Sequence, residues 1–199
     1  MPKVVDVEQK RTELAFAAWA VIADRGLSAV TFRAVAAEAG VSLGAVQHYF
    51  ATKEALLLYA CQRMADLAGA QWSATSSGAD ARAQLAALAH TSLTDHPLQR
   101  VGIAAWNAFV GAAAGDPAMA RVVQEVWSGA HRQATALWTA ALASPGRRGG
   151  SSDPSTVAEL FQALLDGLSV RVFAGRLGFE QARALAEQFL DDYLGPATA

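Results

Sequence analysis

The chain has 199 residues, a formal net charge of −2 and a single cysteine, Cys61. This length can bury a core in one domain or two small ones, and the near-neutral charge excludes a broadly basic nucleic-acid coat protein. One cysteine excludes an internal disulfide and the paired-cysteine metal sites, and apolar neighbours favour a buried structural thiol over a redox sensor. No apolar run has the length of a membrane span or a signal peptide, so we expect a cytoplasmic protein.

Alanine-rich segments with helical periodicity, and few alternating runs of β-forming residues, predict an all-α fold of about nine helices. The first helix is predicted over Val7–Arg25, where an apolar stripe recurs every third or fourth residue, and Gly26 ends it. Thr31 is placed to cap a second helix that ends near Ala39. The third helix is predicted over residues 43–49.

Residues 32–50 have the pattern of two short helices joined by a tight turn. Gly40 lies where the turn needs a positive φ, which a Cβ would oppose. Ala36 is small where the helices must cross, and Ser42 is placed to cap the second helix. The pattern predicts a helix-turn-helix, whose second helix enters the major groove of DNA. The alternative is an ordinary corner between two helices.

A fourth helix is predicted to begin at Lys53 and to run into the low seventies, where the polar stretch 73–78 closes it. Five further helices are predicted, over 80–94, 97–114, 117–143, 155–176 and 179–194, and prolines near the first turns support these boundaries. The segment 144–154 is predicted to be a loop. Its two arginines are interpreted as solvated side chains, with a DNA contact as the alternative.

The first fifty-odd residues resemble the tetracycline-repressor (TetR) family of bacterial regulators. The resemblance rests on the first helix, on residues 32–50, and most of all on the aromatic pair and Thr-Lys-Glu helix opening at 49–54. Residues 80–199 are less diagnostic. Within them, the segments 164–168 and 182–190 are similar to the subgroup related to the choline-responsive repressor.

The resemblance implies a DNA-binding domain at 1–55 and an effector-binding and dimerisation domain at 56–199. It implies a repressor that binds a palindromic operator as a homodimer and is released by a small molecule, without a cofactor. The first 55 residues carry six basic and six acidic side chains, so phosphate binding needs a few placed groups. By position, the DNA contacts implied are Thr31, Arg33, Ser42, Leu43, Gly44, Gln47, His48, Tyr49 and Lys53.

Two positions depart from the family pattern. Gln47 stands where tyrosine is common, and Ala45 stands where many members carry threonine. The amide of Gln47 can bond the N6/N7 edge of adenine; alternatively, a phosphate contact is lost there. Gly44 permits a close approach of the sugar-phosphate backbone. Tyr49 is interpreted either as a phosphate donor or as a core aromatic residue of the motif.

Aromatic residues of the sixth and seventh helices predict a small-molecule pocket, since Trp127 and His131 share one helical face. The predicted lining is Trp72, Trp106, Asn107, Val110, Trp127, His131, Phe161 and Leu165. The alternative is that these residues form an ordinary core. Such a pocket suits a hydrophobic or aromatic effector, although its rings also suit a cation.

The last two helices carry apolar stripes, with small residues that allow close helix approach. Two such helices from each subunit would form an intersubunit four-helix bundle. The predicted dimer contacts are Phe161, Leu165, Leu168, Val172, Ala182, Leu185 and Phe189.

Two other functions compete with a ligand-released repressor. The four histidines are scattered, with no metal-ligand spacing, nucleophile elbow or phosphate loop, so an enzyme is not favoured and no metal site is expected. The second alternative is a member of the family that activates transcription or that has lost DNA binding. The neutral charge of residues 1–55 keeps this alternative open.

Overall fold

The computed structural model describes residues 7–75, 80–143 and 152–196, and for 68–75 the backbone alone. In these ranges the chain forms nine α-helices and one short 3-10 helix at Leu27–Ala29, with no strand. The helices are α1 Val7–Arg25, α2 Phe32–Ala39, α3 Leu43–Tyr49, α4 Lys53–Thr75, α5 Ala81–Ser92, α6 Pro97–Ala113, α7 Pro117–Ala143, α8 Pro154–Phe173 and α9 Phe179–Leu194. The predicted all-α fold is confirmed. The predicted breaks at 73–78 and 144–154 lie mostly outside the described residues.

Packing divides the chain into two compact units. Unit 1 comprises residues 1–70 and 100–124, and unit 2 comprises residues 71–99 and 125–199, so that α4, α6 and α7 each have residues in both. The predicted domain boundary after residue 55 divides DNA binding from effector binding and dimerisation, and it stays a prediction.

The core of unit 1 is built on the apolar stripe of α1. Val21 of α1 is fully buried, together with Val46 of α3 and Leu56 of α4. Phe109 of α6 and Val123 of α7 belong to the same buried cluster. The packing boundary differs from the predicted domain boundary because these later helices complete the core of the first unit.

Unit 2 has a separate core that contains α5, part of α7, α8 and α9. At its centre, Trp138 is fully buried and meets the rings of Phe161, Phe189 and Tyr193 edge-on, with centroid distances of 5.7, 6.0 and 5.8 Å. Edge-to-face contacts of this kind are favoured by the ring quadrupoles. On the outside, Arg82 of α5 pairs with Asp191 of α9. These contacts fix α9 on the unit.

Cys61 is buried, as the sequence predicts, and burial raises the pKa of its thiol to about 12. None of the helices in the described ranges combines the length and the apolar character that crossing a bilayer requires.

Candidate nucleic-acid interface and effector site

The turn between α2 and α3 has the geometry that the sequence predicts. Gly40 ends α2 in the left-handed region, with φ 66° and ψ 31°. The N–H of Gly40 donates to the carbonyl of Ala37 at 3.3 Å, and that of Val41 donates to the carbonyl of Ala36 at 3.0 Å. This pair of bonds closes the helix end and sets the direction in which α3 starts.

Each of the three helices α2, α3 and α4 begins with a hydroxyl cap. The side-chain oxygens accept from the backbone N–H three residues further on, in the pairs Thr31 and Ala34 at 3.1 Å, Ser42 and Ala45 at 3.2 Å, and Thr52 and Ala55 at 3.1 Å. Because the oxygen accepts inside the protein, each hydroxyl keeps its hydrogen to donate outward. Thr52 was not among the predicted DNA contacts, although its capping position is the same signal that selects Thr31.

The predicted DNA-contact residues of α2 and α3 are mostly on the open side of unit 1. Seven of them are exposed: Thr31, Arg33, Ser42, Leu43, Gly44, Gln47 and His48. The opposite side of α3 is held by Val46, which is fully buried. Lys53, in the first turn of α4, is half-buried.

Of the two interpretations given to Tyr49, the structure describes the packing of its ring. Its ring is half-buried, packs on the core of unit 1 and meets the ring of His48 edge-on, with centroids 5.0 Å apart. The ring therefore supports α3 from inside, and the role of its hydroxyl toward phosphate stays a prediction.

The residues predicted to line the effector pocket are distributed over both units. Trp106 and Val110 are half-buried and pack against the core of unit 1, and Asn107 beside them is also half-buried. Phe161 and Leu165 are buried in the core of unit 2. Trp72 belongs to the segment whose side chains lie outside the described residues. The pocket stays a prediction.

His131 lies in a shallow depression of about 320 Å³ in unit 2, and the other residues that line it are Ser155, Thr156, Glu159 and Leu160. The Nε2 atom of His131 lies 3.0 Å from the Oγ of Ser155. Its Nδ1 atom lies 3.1 Å from Oε2 of Glu159, within ion-pair range but without hydrogen-bond alignment. Trp127, one turn earlier on α7, is 40% exposed. Ser155 and Glu159 were not predicted, because nothing in the sequence places the start of α8 beside the middle of α7.

The predicted dimer contacts lie on α8 and α9 of unit 2, and the dimer surface stays a prediction. Most of the predicted stripe faces the interior of unit 2, where five residues are buried: Phe161, Leu165, Leu168, Val172 and Ala182. Phe189 is half-buried, and Leu185 is 45% exposed. The stripe is the core side of α8 and α9, because an apolar stripe satisfies an internal core as well as a partner.

A different stripe of α8 is open. Leu160 and Val170 are 48% and 54% exposed, and the small residues Ala163 and Gly167 lie exposed between them. The spacing of three, four and three residues puts all four on one side of the helix.

The comparisons with known proteins agree with this geometry. Residues 81–195 match the family described as BetI-type transcriptional repressor, C-terminal, and residues 16–60 match the tetR family of bacterial regulatory proteins. The chain belongs to the TetR family. This assignment confirms the predicted family and identifies the chain as a transcriptional regulator of the BetI repressor type rather than an enzyme.

Relatives of this TetR-family chain cover nearly its whole length. It is 31% identical over 194 residues to the regulator BetI of Agrobacterium fabrum. The aligned residues cover 96% of this chain and 91% of the relative. A TetR-family regulator from Rhodococcus sp. superimposes with a TM-score of 0.82 at 26% identity, covering 94% of this chain and 99% of that one. A regulator from Saccharomonospora viridis in complex with choline has the same fold, with a TM-score of 0.82 at 23% identity over 92% and 96% of the two chains.

Proposed function

We propose that this TetR-family chain binds a palindromic operator as a homodimer through α3, and that a small-molecule effector releases it. The observation that carries the DNA-binding part is the arrangement of α3. Its start is set by the Gly40 turn, its inner side is fixed by Val46, and its outer side offers Gln47 and His48 to solvent. A rigid helix with exposed polar side chains is what major-groove reading requires.

The proposed DNA contacts divide into two kinds. Gln47 carries an amide that can read a base edge, and Leu43, 38% exposed, can contact a thymine methyl group. The candidates for contacts to DNA phosphates are Thr31, Arg33 and Lys53. Their hydroxyl and cationic side chains lie near the starts of helices, where such groups bind the phosphate oxygens of the DNA backbone. Phosphate contacts set the position of the protein, and base contacts set its preference for a sequence.

We propose that the dimer forms through the open side of α8, together with exposed Leu185 of α9. Large exposed apolar side chains, Leu160 and Val170, support this choice, since an apolar surface on a helix favours a protein contact. Ala163 and Gly167 between them leave room for a partner helix to approach closely. An isologous dimer of this kind presents two copies of α3 to a palindrome.

Selection of DNA from a random pool by the full-length protein tests whether it binds a palindromic operator as a dimer. We expect an inverted repeat whose half-site centres are roughly 34–36 Å, or a multiple of that, apart along the helix. A Gln47→Ala protein, selected in parallel, should enrich the same repeat with one position relaxed. Enrichment of a single unrepeated motif, or of nothing above the starting pool, would contradict the proposal.

We propose that the effector is a small molecule with apolar or aromatic surface, and that a cation is the alternative. Trp127 of unit 2, which is 40% exposed, supports an aromatic contact to the effector, and an aromatic ring accepts either class. Choline, which the Saccharomonospora viridis regulator binds, and its neutral isostere 3,3-dimethylbutanol separate the classes. Release of the operator complex by the neutral alcohol supports a hydrophobic effector, whereas release by choline alone favours the cation.

A further inference from the structure

Helices α1 and α4 are joined in unit 1 by a polar bridge. The hydroxyl of Tyr59 donates to Oε1 of Glu8 at 2.6 Å and lies 3.3 Å from the hydroxyl oxygen of Thr12. The guanidinium carbon of Arg11 lies 4.2 Å from the centre of the Tyr59 ring and 5.2 Å from that of Phe50. One of its terminal nitrogens is 3.6 Å from Oε2 of Glu8. We call Glu8, Arg11 and Tyr59 the α1–α4 bridge.

The bridge has a defined chemistry. The Nε atom of Arg11 is buried and has no hydrogen-bond partner among the described residues, so the guanidinium is held by the rings and by Glu8. Burial of the Tyr59 hydroxyl, and then its hydrogen bond to Glu8, raise the pKa of this phenol. The hydroxyl therefore stays protonated and remains a donor to the carboxylate.

A second contact attaches the same turn of α4 to the other half of α1. The indole N–H of Trp19 donates to the carbonyl of Ala60 at 3.1 Å, in a buried position. Glu8 and Trp19 are eleven residues apart, or roughly 16 Å along an α-helix at 1.5 Å per residue. Two attachments at this separation fix the direction of α4 relative to α1 as well as its position.

α1 is also the helix against which the DNA-reading pair is packed, since it contacts both α2 and α3. The orientation of α3 relative to α4 is therefore transmitted through α1. The covalent link between α3 and α4 is short, from Phe50 to Thr52, and Phe50 itself is buried under Arg11.

We propose that the α1–α4 bridge is a positioning device that fixes the angle between α3 and α4, and through it the separation of the two recognition helices in the dimer. This inference rests on the proposed dimeric operator binding. Recognition of one half-site needs only an intact α2–α3 pair. Discrimination between half-site spacings needs in addition a fixed connection from that pair to the rest of the protomer.

Two mild substitutions test the role of the bridge. Tyr59→Phe removes the donor and keeps the ring beneath Arg11, and Glu8→Ala removes the acceptor on an exposed side chain. Each variant, and the double variant, is measured as full-length protein on the selected operator, on operators with one base pair added or removed between half-sites, and on DNA with one intact half-site. Glu13→Gln is the matched control, because it breaks the ion pair with Lys10 within α1 and leaves α4 untouched.

We expect the half-site affinity of both single variants to stay within about twofold of the wild type, and their penalty for altered spacing to fall about fivefold, the effect of one hydrogen bond. The double variant should lose little beyond Glu8→Ala alone, because that change already removes the hydrogen bond from Tyr59 together with the ion pair to Arg11. An unchanged spacing penalty, or an equal loss on every DNA including the half-site, overturns the positioning role. A wild-type protein without spacing preference would instead overturn the dimeric operator on which it depends.

Discussion

A Cβ added at Gly44 would lie 3.9 Å from the Oγ of Ser42, which is an ordinary van der Waals distance. The backbone of Gly44 is also outside the left-handed region. The fold of unit 1 therefore does not require glycine at the second position of α3. In the proposed complex, the missing side chain leaves room for the sugar-phosphate backbone of DNA.

Replacing Gly44 with alanine distinguishes an effect on the fold from an effect on DNA binding. We expect Gly44→Ala to unfold at the same temperature or higher, with a gain of up to about 1 kcal/mol from helix propensity. Its operator affinity should fall about tenfold, which corresponds to 1.4 kcal/mol. Gly111→Ala, at an exposed and open position of α6, is the control that should keep full affinity. Wild-type operator affinity in Gly44→Ala would refute the close approach.

Base and phosphate contacts are distinguished by two alanine variants. Gln47→Ala should lose about 1–3 kcal/mol of discrimination at one base pair and keep the salt dependence of binding. Lys53→Ala should weaken binding to every sequence and reduce the salt slope by about one per protomer. Titrating both variants against salt, on the operator and on single-base variants of it, checks the assignment. If instead Gln47→Ala reduced the salt slope and Lys53→Ala reduced base discrimination, Gln47 would be the phosphate contact and Lys53 the base contact.

The proposed dimer surface predicts an unusual effect at Gly167. A Cβ there meets no atom within 4 Å among the described residues of the protomer, so Gly167→Ala should stabilise the isolated helix. In the dimer the added methyl group should meet the partner helix, at a cost of about 1–3 kcal/mol for overpacking. Sedimentation equilibrium on dilution measures the resulting shift toward monomer. Unchanged dimer dissociation in Gly167→Ala, compared with Gly111→Ala, would place the interface elsewhere.

The buried thiol of Cys61 predicts a pH dependence. Its pKa is raised from 9.0 to about 12 by burial, so the folded protein keeps the protonated thiol at pH 8. We expect no labelling by iodoacetamide in the native protein and rapid labelling in urea. Because the folded state holds this proton more tightly than the unfolded state, stability should fall as the pH rises above about 9. Native labelling at the unfolded rate would show that the site opens.

The helices were predictable because their ends carry local signals. Gly26 and Gly40 take positive φ where α1 and α2 end, and Pro97, Pro117 and Asp153 lie at the starts of later helices. The predicted spans of α1, α3, α7 and α9 agree with the structure. The predicted start of α8 at 155 was one residue late, and its end at 176 was three residues late, because the prediction passed over Gly175, whose positive φ of 72° follows the end of the helix.

The direction in which an apolar stripe faces was not predictable. Phe161 and Leu165 have the spacing of a helix contact, and the sequence does not distinguish a partner subunit from the core of the same unit. Contacts between residues that are distant in the sequence were also missed. Tyr59 and Glu8 are 51 positions apart, and only the packing of α4 on α1 brings them together.

Sequence-specific recognition through α3 is tested by binding of the purified protein to the DNA upstream of its own gene, titrated against salt. We expect nanomolar affinity that falls steeply with salt and exceeds the affinity for scrambled DNA of the same composition by about a thousandfold or more. Equal affinity for the upstream and scrambled fragments, and for every enriched sequence from a random pool, would contradict sequence-specific recognition through α3.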